Sequence, residues 1–394
     1  MASFESRFTA YCASLETVGR RRRLTLAAEA MPGRHIVADF SHNDYLGIAA
    51  APELIAASHV AALRYGVGAT GSRLLSGNLP LHVELEAAIA RAKGTEAALI
   101  FNSGYQANSS ALAALLDAKV LDAQPLVFSD RLNHASLHHA CQLMNVHQIR
   151  YRHNDLDHLR ELLEAHQHEE RPKFIVAETV FGMDGDAIDM AAMAALADEF
   201  DVFLYLDEAH ATGVMGTHGY GLTSGHMQHD KQSRGVAMGT FSKALGASGA
   251  YIACSTAVRD YLVNRCTGFI YSTALSPAVI GAVQAGWERL PQMDAERARL
   301  MQTAQSLRER VHALGFDTGN SSTHIVPLIV GTEAAALDVK AWLLEHGIVS
   351  SAIRPPTVPP HTARIRIALS VMHGEAEINA LVDALTAWKN QAQR

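Results

Sequence analysis

The chain has 394 residues, enough to bury a large core and to carry a second, smaller domain. Apolar residues make up 48%, charged residues 19%, and the net charge is −7, which excludes bulk attraction to nucleic acid or to an anionic membrane. Cys12, Cys141, Cys254 and Cys266 lie far apart with no C-x-x-C pair, which argues against a zinc site or a disulfide framework. The first residues lack a basic-then-apolar leader, and no apolar run approaches the ~20 residues that span a bilayer. A cytoplasmic protein is expected.

The first conspicuous feature is the run Arg20 to Arg23, and charge runs are usually solvated. A helical pattern over 53–65 then leads into Gly66-Val67-Gly68-Ala69-Thr70-Gly71, a G-x-G-x-x-G match. A dinucleotide fingerprint needs a strand before it and a helix opening on it. Here a helix precedes and a polar loop, 72–80, follows, so a nicotinamide oxidoreductase is the weakest reading. The favoured one is a glycine loop with unusual backbone angles.

Further on, short apolar runs at 97–101, 126–129, 174–178, 202–207, 236–240 and 250–253 read as buried strands. Helical patterns such as 155–169 and 190–200 lie between them. This alternation predicts an α/β domain with a mostly parallel sheet covered on both faces. The last part differs. A charged helix pattern covers 294–314, a strand 325–330, and a helix 333–346 stopped by Gly347. A strand at 363–370 precedes a closing helix with Ile378, Leu381, Val382, Leu385 and Trp388 on one face. The expected division is an N-terminal arm over 1–45 packing with the small domain, a large domain over 46–285, and a smaller α+β C-terminal domain over 286–394.

Three segments carry chemistry. Asn102-Ser103-Gly104-Tyr105-Gln106-Ala107-Asn108 joins a strand to a helix. Ser103 is a good N-cap, and amides at a helix start bind phosphate; a plain capped helix is the alternative. Tyr205-Leu206-Asp207-Glu208-Ala209-His210 runs a strand into an acid and a histidine. Ligands sit beyond the carboxyl ends of such strands, where Asp207 can pair with a protonated pyridine nitrogen or merely cap the next turn. In Gly239-Thr240-Phe241-Ser242-Lys243-Ala244-Leu245-Gly246, a lysine follows a strand among small residues and hydroxyls. Desolvation there lowers a lysine's pKa, and a neutral amine attacks an aldehyde to form a Schiff base. A surface lysine is the alternative.

In this order the three segments resemble the fold-type-I pyridoxal-phosphate (PLP) enzymes, and within them the α-oxoamine synthases. The likeness runs over nearly the whole chain. It includes Ser41-His42-Asn43-Asp44-Tyr45-Leu46-Gly47, Gly71-Ser72-Arg73-Leu74-Leu75-Ser76-Gly77, Asp130-Arg131-Leu132-Asn133-His134-Ala135-Ser136-Leu137 and Val180-Phe181-Gly182-Met183-Asp184-Gly185-Asp186. The discriminating run is Ala352-Ile353-Arg354-Pro355-Pro356-Thr357-Val358-Pro359, which is similar to the family member of the biotin pathway.

The resemblance implies a mostly parallel seven-stranded sheet between helices, plus the small α+β domain. It implies pyridoxal 5'-phosphate as cofactor, L-alanine and a pimeloyl thioester as substrates, and a homodimer with its site at the subunit interface. Lys243 would form the Schiff base and move the Cα proton, and Asp207 would pair with the pyridine nitrogen. His210 would bond the cofactor's phenolic oxygen, and His134 would stack on the ring. The segment Ser103, Gly104 and Tyr105 and the Thr240 hydroxyl would hold the phosphate. Arg354 and Asn43 would hold the amino-acid carboxylate, with Thr357 and Arg20 as further substrate contacts. Gly182 is a departure, because relatives often carry there a serine that contacts the cofactor. Two other readings stay open: a sister enzyme joining glycine to acetyl-CoA, and a non-catalytic subunit that keeps the fold.

Overall fold

A computed structural model describes residues 3–27, 33, 35–226 and 235–392. The chain forms two compact units. The first, called the sheet unit here, is Asp44–Phe181 with Ala187–Ala298. The second, the terminal unit, gathers the described residues of Met1–Asn43, Gly182–Asp186 and Arg299–Arg394.

The sheet unit is built on seven strands: β1 (Ala97–Phe101), β2 (Leu126–Asp130), β3 (Gln148–Tyr151), β4 (Lys173–Glu178), β5 (Phe203–Asp207), β6 (Gly235–Thr240) and β7 (Ala250–Cys254). Their order across the sheet is β1-β7-β6-β5-β4-β2-β3. β2 to β6 pair in parallel, and β7 is antiparallel to both its neighbours. The mostly parallel sheet of seven strands is therefore present as expected. Successive residues point to opposite faces, and each face has its own apolar core. Phe174, Val176 and Tyr205 join one cluster with Leu112, Leu137 and Leu262. Ile175, Ala177, Leu204 and Leu206 join the other with Leu159, Leu163, Met193 and Leu196. Two-sided burial explains why the central strands read as unbroken apolar runs.

The glycine loop behaves as its context suggests. Gly66 (φ +86°) ends the helix Pro52–Tyr65, and no helix begins until Pro80. A Cβ on Gly71 would lie 2.2 Å from Ser76 Oγ, so the glycine permits a tight return of the loop.

One ion pair lies beneath the carboxyl end of β5. Lys93, the last residue of the helix Pro80–Lys93, bonds to the Glu208 carboxylate, with both side chains buried. Its Nζ also donates to the Tyr220 carbonyl at 2.7 Å. The Thr223 amide and hydroxyl donate to Glu208 at 2.8 Å each. Burial pushes the Lys93 amine below the ordinary lysine value, and the Glu208 charge opposes that shift.

The terminal unit contains the antiparallel sheet β9-β10-β8, made of β8 (Ile325–Gly331), β9 (Ser351–Ile353) and β10 (Ala363–Ala368). The helices Glu333–Glu345 and Glu375–Ala392 accompany it. Two buried arginines of β10 hold the short insert 182–186. Arg364 pairs with Asp184 at 2.6 Å, and Arg366 Nε donates to the Gly182 carbonyl at 2.6 Å. Among the described residues no helix is long and apolar enough to cross a membrane, and no cluster of His, Cys, Asp or Glu could hold a metal ion.

Removing one member of a buried, bonded ion pair strands the other. Lys93→Met should lower the unfolding free energy by about 3–5 kcal/mol, read from the urea midpoint. A loss below about 1 kcal/mol would show that Glu208 does not depend on its cation.

Candidate active site

The carboxyl ends of the parallel strands bring the predicted residues of the sheet unit together. Asp207 closes β5 and Thr240 closes β6; Ser103 follows β1 and His134 follows β2. Asp207 is only 3% exposed. Its Oδ1 accepts from the Ala209 amide at 2.8 Å, and its Oδ2 from Asn108 Nδ2 at 2.7 Å. Both donors are neutral. A buried carboxylate with neutral donors alone is suited to meet a cation on a ligand.

Asn108 is placed by an irregular helix. The helical turn Gly104–Ala107 passes into a π-helical turn, Asn108–Leu112, before α-helix resumes at Ala113. Such turns recur at functional sites because they redirect one side chain. Asn108 takes a hydrogen bond from the Tyr205 hydroxyl at 3.1 Å and donates to Ser136 Oγ at 3.0 Å as well as to Asp207. Ser136 Oγ in turn lies 2.7 Å from His134 Nδ1. The His134 ring is held below the ordinary histidine value, chiefly by burial; the Asp207 charge opposes this and the Lys243 charge adds to it. Burial therefore favours the uncharged form of His134 beside both charged groups.

Lys243 Nζ lies 2.8 Å from His210 Nε2. The other ring nitrogen, Nδ1, lies 2.7 Å from the Tyr45 hydroxyl. Lysine, histidine and tyrosine form one chain of contacts beside the Asp207 network.

Ser103 is the N-cap that its sequence suggests, accepting from the Gln106 amide at 3.2 Å. A Cβ on Gly104 would come within 2.6 Å of Thr240 Cγ2, so the ends of β1 and β6 approach too closely for any side chain there. Tyr105 is half exposed, with its ring edge-on to His134 at 6.2 Å between centroids.

The remaining predicted residues belong to the terminal unit. Asn43 Oδ1 accepts from Arg366 Nη1 at 3.1 Å. Gly182 offers its carbonyl to Arg366. Arg354 donates to the Gly19 carbonyl, and its guanidinium is shifted below the ordinary arginine value by burial and by the neighbouring Arg22 charge. Arg22 donates to the Thr357 hydroxyl at 2.9 Å, whereas Arg20 is paired with Glu333 at 2.7 Å.

Sequence reasoning quoted the segments holding Asn108, Ser136 and Tyr45 without giving those residues a role. Asn108 stood among other polar residues, Gln106, Ser109 and Ser110, and was marked only by lying just beyond a strand end. Tyr45 and Tyr205 carried no signal, because buried tyrosines are common in strands and loops.

A strand-end lysine, a buried acid met only by neutral donors and two histidines on a mostly parallel sheet define a class, and comparison agrees. The profile of aminotransferase class I and II matches residues 35–385, and the chain belongs to that family. Within it, a Gluconacetobacter diazotrophicus protein named 8-amino-7-oxononanoate synthase is 51% identical, the match covering 88% of this chain and 86% of that one. A Bordetella bronchiseptica relative, provisionally given the same name, is 51% identical over 99% of this chain and 98% of its own. Among solved structures, serine palmitoyltransferase from S. paucimobilis with a bound PLP–myriocin aldimine superposes with a TM-score of 0.88 at 26% identity, covering 99% of both chains. An 8-amino-7-oxononanoate synthase from Francisella tularensis shares the fold, with a TM-score of 0.77 at 24% identity over 91% of this chain and 99% of that one.

Asn108→Ala removes the donor to Asp207 Oδ2 and leaves a buried carboxylate oxygen unmet. The protein should lose about 1–3 kcal/mol of stability, measured by denaturation of the cofactor-free chain. An unchanged midpoint would show that Asp207 finds another donor.

Proposed function

We propose that this chain is a cytoplasmic PLP-dependent acyltransferase that condenses L-alanine with a pimeloyl thioester, on coenzyme A or on a carrier protein. The products are 8-amino-7-oxononanoate, carbon dioxide and the free thiol, a step of biotin biosynthesis. The observation that carries this reading is the buried carboxylate of Asp207, met by neutral donors only, in the same strand-end cluster as Lys243. The 51% identity to a named synthase supports the choice of reaction.

The residues fit such a cofactor. Asp207 offers the countercharge for a protonated ring nitrogen. The Gly104 backbone is clear of any side chain beside Thr240, as a phosphate cradle needs. The bound cofactor supplies an electron sink for the negative charge that develops at the alanine Cα. The chain's own residues do the rest. Lys243 would anchor the cofactor, and its free amine would take the Cα proton as general base. His210 steadies that amine and donates to the cofactor's ring oxygen. His134, whose uncharged form is favoured by burial, would cover the ring. Ser103, Gly104, Tyr105 and Thr240 hold the phosphate. Asn43 and Arg354 take the amino-acid carboxylate, since a guanidinium meets a carboxylate with two parallel bonds. Thr357 and Arg20 contact substrate. Gly182 contributes backbone alone, so a hydroxyl contact made there in relatives is either replaced in this chain or dispensable.

Borohydride treatment of the cofactor-loaded protein, followed by peptide mass mapping, should place a pyridoxyl group on Lys243, and initial rates should favour alanine with pimeloyl-CoA. An unmodified Lys243 sinks the reading, and a preference for glycine with acetyl-CoA moves the chain to the sister enzyme.

A homodimer accompanies this proposal. Val67, Leu75 and Tyr271 are 81%, 83% and 82% exposed, in two segments joined by the Ser72–Thr273 bridge. An exposed apolar patch of this kind is suited to a second copy. Sedimentation should show a dimer, and Leu75→Asp with Tyr271→Asp should yield monomer; a monomeric parent protein overturns this part.

A further inference from the structure

Tyr45 has no part in the function proposed above, yet it is fully buried and its hydroxyl touches the histidine that holds Lys243. The loop that carries it is fixed at several points. The Asp44 carboxylate accepts from the Ile48 amide at 3.1 Å and from the Ala49 amide at 3.0 Å. The Gly47 amide donates to the Asp44 carbonyl at 3.2 Å. Gly246, three residues beyond Lys243, has φ +61°, and a Cβ there would lie 2.4 Å from Ala49 Cα. Gly213 likewise brings the loop after His210 against Ala244, with 2.4 Å between an added Cβ and the Ala244 Cβ. The loops bearing Tyr45, His210 and Lys243 are therefore packed on one another at glycines that tolerate no side chain.

A neutral imidazole carries one ring hydrogen, and the partner of one nitrogen decides which nitrogen holds it. An ammonium at Lys243 can only donate, so His210 Nε2 must then accept and Nδ1–H must find an acceptor. When Nε2 carries the hydrogen and donates toward a ligand, Nδ1 must receive a donor. A tyrosine hydroxyl serves either case by turning about its C–O bond, because it both gives and accepts. A phenylalanine serves neither.

We propose that Tyr45 is a positioning residue that sets which ring nitrogen of His210 carries the hydrogen, and so whether His210 accepts from Lys243 or donates to the cofactor's ring oxygen. The inference rests on the PLP reading of the site, and on the 2.7 Å and 2.8 Å contacts that flank the imidazole.

The test is Tyr45→Phe in the full chain. Nitrogen-15 spectra of histidine-labelled, cofactor-free protein, with His210 assigned through His210→Gln, should show both His210 ring nitrogens displaced in the variant. In the holoenzyme the pH midpoint of the cofactor's visible absorbance should move by about half a unit or more. The turnover number should fall about tenfold, as expected for one lost hydrogen bond in a buried network, with KM for alanine little changed. Unchanged His210 resonances and an unchanged absorbance midpoint, with only a lower melting temperature, would overturn the inference and leave Tyr45 a packing residue. Should Tyr45→Phe not fold, 3-fluorotyrosine at position 45 keeps the shape and makes the hydroxyl a stronger donor; the Nδ1 resonance must then shift, and a static one overturns the inference. Borohydride capture at Lys243 in the parent protein separates the two claims. Its failure removes the cofactor reading, whereas capture with an indifferent Tyr45→Phe removes only this one.

Discussion

Burying a carboxylate at the end of a strand costs several kcal/mol unless donors meet it, and Asp207 is almost wholly enclosed. Much of the local architecture follows from that requirement. The Ala209 amide supplies one donor because the chain turns directly after β5. The other must come from a different element, and the π-helical turn at Asn108 delivers it. Asn108 is itself oriented from two sides, by Tyr205 on β5 and by Ser136 on the helix Ala135–Leu143. Through Ser136 the same network reaches His134, so two of the proposed cofactor residues are linked by two neutral side chains.

Asp207 and Glu208 are consecutive acids with opposite fates. Side chains alternate in direction at a strand end, so the two carboxylates enter different surroundings. Glu208 is fully occupied by Lys93 and Thr223 and anchors the helix Pro80–Lys93 and the loop at 220–223. Asp207 meets amide donors only, and its charge stays available to a ligand. Swapping the two environments would spend the reactive acid on structure. The backbone register that separates them is fixed by the pairing of Asp207 with Glu178 on one side and with Met238 on the other.

Most of this fold was legible because burial on both faces makes strands continuously apolar, whether they pair in parallel or not. Six of the seven strands of the large sheet were readable on that ground. The seventh, Gln148–Tyr151, was not: it is an edge strand, half exposed, with a glutamine and an arginine in four residues. The residues expected at the site lie at strand ends in the sheet unit, where position alone is informative. What escaped were neutral polar groups acting between charged ones. Asn108, Ser136 and Tyr45 carry no charge pattern, and their meaning lies in contacts across 28 to 165 residues of sequence. Lys93 escaped for the opposite reason, since a lysine in a helix's last turn ordinarily faces water and favours the helix dipole.

The composition of the terminal unit bears on how the protein is made. Its pieces come from both ends of the chain and from the five residues 182–186 in the middle. Translation proceeds from the amino end, and domains fold as they emerge. The sheet unit has all its residues once Ala298 is out. The first part of the terminal unit must wait, with Asn43 and Gly182 lacking their shared partner, until β10 brings Arg366. Nascent chains halted before that strand therefore hold one unit complete in sequence and another without the two arginines that hold 182–186.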